Sequence, residues 1–368
     1  MKEHGFTSII RSILKRHFGA LADEIFDKSE LIQYLNIKTV SASRGSKARG
    51  SFGNLYAIYV LVEDYVSEGF AESEVYENYE GARFSDLLKR QRELPFGGKL
   101  QNHAFNHRLN QEFKKYFPNS DFQPILRDVK SNRYWFNENL LVVPTSNGEI
   151  NLATSVIEII DAYITAKQEA FDAFLRDCER MKSVQDEDHE EVIRFIVRLL
   201  RPNVDARIFE IVSYAILKAY YSDVSFFWGW SLDDITEEKL TLYKTGRTNA
   251  NDGGIDFVMR PVGRFYQVTE TLDVKKYFLD IDKVQKYPIT FVIKTDANED
   301  EILSRLREQA KRQYGIQAIV DRYMASIEEV INIPKLIAYL RQVEGKGDLG
   351  MVIDEIVQYS RLEFDIFD

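Results

Sequence analysis

Apolar residues recur at three- and four-residue spacing through most of the first 220 positions, the period of a helix with one buried face. The pattern predicts helices near 6–34, 53–68, 83–92 and 100–116, one long helix over 151–181, and helices near 187–200 and 201–221. In the last of these Pro202 stands near the start, and Phe209, Val212, Ile216 and Ala219 form the apolar face. From Val224 the period shortens to two. VSFFW, KLTLYKT, IDFVMR, RFYQVTE and PITFVIKT are short runs rich in β-branched and aromatic residues, bounded by Gly, Pro and Asn, and they read as strands. LDVKKYFLDIDKVQKY, between Glu270 and Pro288, returns to helical spacing. Strand, helix, strand predicts a parallel crossover and therefore a mixed sheet. After Lys294 the pattern is helical to the end, with breaks at Pro334 and at GKGDLG (345–350).

The expected fold class is thus α/β, a mixed-sheet core with a mainly helical N-terminal region. The charged break SVQDEDHEE (183–191) places the expected boundary between a region 1–182 and a domain 183–368.

At 368 residues and 45% hydrophobic composition the chain has enough apolar material for two cores. The single cysteine, Cys178, excludes an internal disulfide and any cysteine-based zinc site. The longest apolar run, LYAIYVLV (55–62), is too short to cross a bilayer. The first residues lack the apolar core of a signal peptide. A cytoplasmic protein with no membrane association is expected. The net charge of −10 argues mildly against nucleic acid as a partner. The charge is uneven, however: residues 1–150 hold 20 Lys and Arg against 19 Asp and Glu, and the rest hold 28 against 39.

Candidate chemistry concentrates in NDGGIDFVMRPVGRFYQVTE (251–270). Two glycines lead into Asp256 on an apolar run, Pro261-Val262-Gly263 turns the chain, and the return run carries Gln267, Thr269 and Glu270. In regular strands Asp256, Val258 and Arg260 share one face, and Ile255, Phe257 and Met259 the other. Phe265, Gln267 and Thr269 likewise oppose Tyr266, Val268 and Glu270. An aspartate among apolar residues is costly without a partner, and a metal ion is one such partner.

This layout resembles the PD-(D/E)XK nuclease superfamily, and within it the type II restriction endonucleases, with some likeness to those of the HaeII type. The family pattern is an Asp at a strand end, a hairpin, and then Glu or Gln, any residue, and Lys. Asp256 matches the first element, and Gln267-Val268-Thr269 matches the second with Thr269 in place of lysine. Glu210, on the helix before the hairpin, matches a Glu that often precedes it, and the helix and strand ending in ITFVIK fit the core. The resemblance implies Mg²⁺-dependent phosphodiester hydrolysis, with Asp256, Gln267, the Val268 carbonyl and Glu210 as oxygen ligands. The missing lysine could be replaced by Lys275, Lys276 or Lys294. Glu270 becomes a ligand only if a bulge turns the strand. Read singly, Glu210 is a helix-surface residue paired with a base, and Thr269 is a β-former in its preferred setting.

A restriction enzyme also has to read double-stranded DNA. In the Gly- and Ser-rich loop 41–53, Arg44, Lys47 and Arg49 are unopposed by acid. After the turn at Pro95, Lys99, Gln101, Asn102, Asn106 and Arg108 have the chemistry of phosphate and base contacts. His103 and His107 stand at a zinc-compatible spacing, but nothing completes a site. The family further implies a homodimer acting on a palindromic site, with a companion methyltransferase that protects the host genome. Alternative expectations are a DNA-binding protein that has lost catalysis, a nuclease acting on modified DNA or RNA, and a helical scaffold.

Overall fold

A computed structural model describes residues 2–42, 48–72, 76, 79–98, 100–202, 204–245 and 255–364. The chain divides into two compact units, 1–173 and 174–368. The expected boundary at 182/183 therefore moves upstream, into the long helix. The helix runs Ala153–Val184 and does end at the charged stretch, but its last turns already carry Cys178 and Met181 into the second unit's core.

The first unit holds α1 (Thr7–Phe18), α2 (Ala22–Lys28), α3 (Glu30–Thr39) and α4 (Ala48–Ser67). These are followed by β1 (Ala82–Arg83), α5 (Phe84–Glu93) and α6 (Leu109–Tyr116). Next come β2 (Ile125–Asp128), β3 (Arg133–Phe136), β4 (Val142–Thr145), β5 (Gly148–Asn151) and α7 (Ala153–Val184). One predicted helix over 6–34 is in fact three, because Gly19 takes a positive φ of 58° at the end of α1 and Ser29 caps a new start at α3. The short strands form a three-stranded sheet, β1-β3-β2, and a hairpin, β4-β5. The helical reading of this region had no place for them. Apolar residues of α1 to α7 and of β2 to β4 share one core.

The second unit carries α8 (His189–Leu199) and α9 (Ala206–Tyr221), then β6 (Ser225–Trp228), β7 (Thr236–Lys239), β8 (Thr241–Lys244), β9 (Phe257–Arg260) and β10 (Arg264–Thr269). There follow α10 (Val274–Lys283), β11 (Ile289–Ile293), α11 (Glu299–Tyr314) and α12 (Gln317–Met324). The chain ends with β12 (Ile327–Ile331), α13 (Ile333–Lys346) and α14 (Leu349–Phe364). The principal sheet has the order β12-β11-β10-β9-β8. β8, β9 and β10 form an antiparallel meander, α10 crosses over, and β11 runs parallel to β10. The predicted mixed sheet is therefore present. β12 corrects the expectation of helix to the end: IEEVI is short, and two acids interrupt its apolar pattern.

Helices cover both faces of this sheet. On one face Phe257, Met259, Tyr266 and Val292 pack in a core with α8, α9, α13 and α14. On the other, Ile255, Ile289, Phe291 and Ile293 pack with α10, α11 and α12. β11 is buried at all five positions, as befits an interior parallel strand.

Candidate active site

The hairpin turn lies where the sequence puts it, with Gly263 at φ 69° and its N–H donating to the Met259 carbonyl at 2.9 Å. Beyond the turn the strands pair Met259 with Arg264, Val258 with Phe265 and Phe257 with Tyr266. Then the register slips. The N–H of Asp256 donates to the Tyr266 carbonyl at 2.9 Å, so Asp256 and Phe257 together oppose the single Tyr266. That is a β-bulge, which inserts one extra residue and re-aims a side chain. The two cores report the same slip: Ile255 belongs to the α10 face, whereas Phe257 and Met259 belong to the α9 face.

The bulge breaks the alternation expected for a regular strand. On the β8 side there is no slip, the Thr245 N–H donating to the Asp256 carbonyl at 3.0 Å, so Asp256 stands between two registers just before β9. Its Oδ2 accepts the Val268 N–H at 2.7 Å. Gln267 and Thr269, paired with Phe291 and Ile293, stay on the α10 face. Gln267 is buried, its Nε2 donates to the Val268 carbonyl at 3.3 Å, and its Oε1 accepts no hydrogen bond among the described residues.

By alternation from Val268, Glu270 lies on the α9 face, and its Oε1 accepts from the Lys294 ammonium at 2.7 Å. Lys294 follows β11, and its side chain is 2% exposed. It also donates to the Val204 carbonyl, just before α9, and stands 5.6 Å from the Phe209 ring centroid. On the same face Glu210 forms a buried ion pair with Lys244 of β8. The basic partner expected for Glu210 exists, but the pair is interior where a surface one was expected. Lys244 also stands 6.0 Å from the ring of Phe257, the neighbour of Asp256.

The lysine candidates separate by face. Lys276 donates to the Thr269 hydroxyl at 3.3 Å on the α10 side. Lys275 is exposed, and its N–H serves the Asp273 cap at the start of α10. Lys294 alone of the three is on the α9 face. That face therefore holds two ion pairs near the strand ends, Glu210 with Lys244 and Glu270 with Lys294.

No family model, curated protein or solved structure matches this chain. What the site can do rests on its own residues. Among the described residues no three His, Cys, Asp or Glu side chains form a ready metal cluster. Asp256, Glu210 and Glu270 offer only oxygen donors. That set fits Mg²⁺, which is commonly held by one or two carboxylates and completes its shell with water and substrate phosphate.

In the first unit, Arg44, Lys47 and Lys99 lie outside the described residues, as does the side chain of Arg49, whose backbone is in α4. Gln101 and Arg108 are exposed, and Asn102 and Asn106 are half-buried. They flank or belong to a π-helical turn, Ala104–Arg108, that leads into α6. Such turns are rare and often occur at functional sites. A cleft of about 440 Å³ opens beside it. Asn106, Gln111, Gln123, Arg127 and Trp135 are among its walls. Sequence reasoning missed the last four because they come from separate elements. Asn110 also lines the cleft but is committed to the backbone of Ile125, giving and receiving one hydrogen bond. Among the described residues no helix is long and apolar enough to cross a membrane.

Proposed function

We propose that this chain is a Mg²⁺-dependent endonuclease of double-stranded DNA, built on a PD-(D/E)XK-like core and acting as a type II restriction enzyme. The observation that carries the reading is the buried Lys294 ammonium held by Glu270 at 2.7 Å, at the end of the strand whose Val268 N–H holds Asp256. In the usual pattern the acid and the lysine follow each other on one strand. Here the acid would be Glu270 and the lysine would come from the end of the neighbouring strand. The succession α9, β8-β9-β10 meander, α10 and parallel β11 supports the same reading, since it supplies every element the resemblance calls for.

Asp256 and Glu270 would hold the ion. A bound Mg²⁺ neutralises phosphate charge and acidifies a water molecule. The chain's own part is to fix Asp256 through the Val268 N–H, and to present the Lys294 ammonium where the attacking water is oriented. The Lys294 side chain is packed under Phe209 and Val204, so its position is set before substrate arrives.

The test is incubation of the purified protein with unmodified phage DNA in Mg²⁺, beside a metal-free lane and Asp256→Ala. Discrete bands that need metal and vanish in the variant are the expected result. Intact DNA in every lane would defeat the reading for unmodified DNA. A second reading, a DNA-binding protein without catalysis, is favoured by the ion pairs: Glu210 is already joined to Lys244, and Glu270 to Lys294. It expects Mg²⁺-independent binding that Asp256→Ala leaves unchanged.

A further inference from the structure

The hairpin of β6 and β7 pairs with no other strand among the described residues. It also concentrates exposed apolar side chains to an unusual degree. Trp230 and Leu232 are each 90% exposed and Phe227 is 63% exposed, with Ile235 about half exposed. An exposed patch of this kind marks an interaction site, because an unpartnered one would be an aggregation liability. With roughly 150–250 Å² for each large side chain, the patch offers on the order of 600 Å² of apolar surface. That approaches the ~800 Å² each partner contributes to a stable interface.

Charge narrows the choice of partner. The loop and β7 carry Asp233, Asp234, Glu237 and Glu238, so a polyanion is disfavoured. β6, Ser225–Trp228, has no charged residue. β7 carries Glu237, Glu238 and Lys239 in a row, charges that guard its edge, whereas two β6 strands meet with none between them. The charged strand protects its own edge, and the uncharged one leaves its backbone groups open to pairing.

We propose that this hairpin is a self-association arm that docks on the same hairpin of a second copy of the chain, β6 beside β6 across a two-fold axis. The choice of a second copy over a foreign protein rests on the nuclease reading, since cutting both strands calls for two sites. A two-fold contact uses one patch twice, and an arm with one adhesive edge and one guarded edge suits that arrangement.

Sedimentation velocity of the full chain without DNA tests the arm. The wild type should run as a dimer, and the double variant Trp230→Asp, Leu232→Asp as a monomer with an unchanged melting curve. A monomeric wild type, or a double variant that dimerises equally well, would overturn the proposal. Cysteine cross-linking gives an independent check, because the native Cys178 is fully buried and silent. Leu232→Cys should oxidise to a covalent dimer, and Val129→Cys, exposed on the first unit, should not; equal yields from the two sites would sink the arm. Neither measurement involves cleavage. A dimer that leaves DNA intact removes the nuclease reading and keeps the arm, and an active enzyme with a dispensable arm does the reverse.

Discussion

Two side chains show how neighbours decide what a residue can do. Lys294 and Lys276 are both lysines near the hairpin, but they lie on opposite faces of the sheet. Lys294 is held by Glu270 at 2.7 Å; Lys276 donates to the Thr269 hydroxyl. If Lys294 positions the attacking water, Lys294→Met should slow single-turnover cleavage by about 10²–10⁴-fold, and Lys276→Met should change it little. Equal losses, with both variants folded, would take the role away from Lys294. Glu329, on β12, accepts from Arg264 and pairs with Lys335 at 2.7 Å. Burial alone would raise its pKa, but the Lys335 hydrogen bond and the Arg264 charge outweigh it and hold it below the ordinary 4.5. A carboxylate depressed on folding stabilises the protein above its unfolded pKa, and that stability is lost as pH falls through the folded pKa. Glu329→Gln should therefore cost about 2 kcal/mol at pH 7, with the gap to wild type closing in strongly acidic urea titrations. A gap independent of pH would mean that the carboxylate's charge is not what stabilises β12.

At the scale of elements, periodicity made most of the second unit legible. The change from period four to period two at Val224, the turn at Pro261-Val262-Gly263 and the crossover before Pro288 all follow from local spacing. The bulge does not, because one extra residue in a strand is invisible when both faces are apolar. Ile255 and Phe257 fit either core, and only the partner strand reveals the slip. β12 escaped for a related reason, since Glu328 and Glu329 break its pattern and their partner Arg264 lies far off in sequence. The fold reverses an expectation about Thr269. On sequence alone a lysine there refills the motif. In the fold Thr269 is buried on the α10 face, 3.3 Å from the Lys276 ammonium. Thr269→Lys should therefore bury a second cation beside the first, on the wrong side for catalysis. It should destabilise the protein by about 3 kcal/mol or more and restore no activity. A stable Thr269→Lys with faster cleavage would show that the α10 face is the catalytic one after all.

The whole chain has two units, each with its own core, joined in sequence through α7, so stability belongs to each unit before it belongs to the molecule. The single cysteine lets this be measured. Cys178 is fully buried in the second unit's core, and burial pushes its thiol up to about 12, so it reacts only when that core opens. Gly97 offers a way to disturb the first unit alone: a Cβ there would stand 2.2 Å from the Gln91 carbonyl oxygen and 2.6 Å from that of Leu94. Backbone must move to admit it, so Gly97→Ala should cost about 1–3 kcal/mol. Calorimetry should then show one transition lowered and another unmoved, while the labelling rate of Cys178 under native conditions stays at its wild-type value. Glu329→Gln should do the converse, speeding labelling roughly 30-fold for a 2 kcal/mol loss if Cys178 is exposed by opening of the second unit. A single transition that both substitutions lower, with faster labelling in each, would mean that the cores unfold together. If the proposed function holds, recognition by the first unit and cleavage by the second would then be coupled through stability itself.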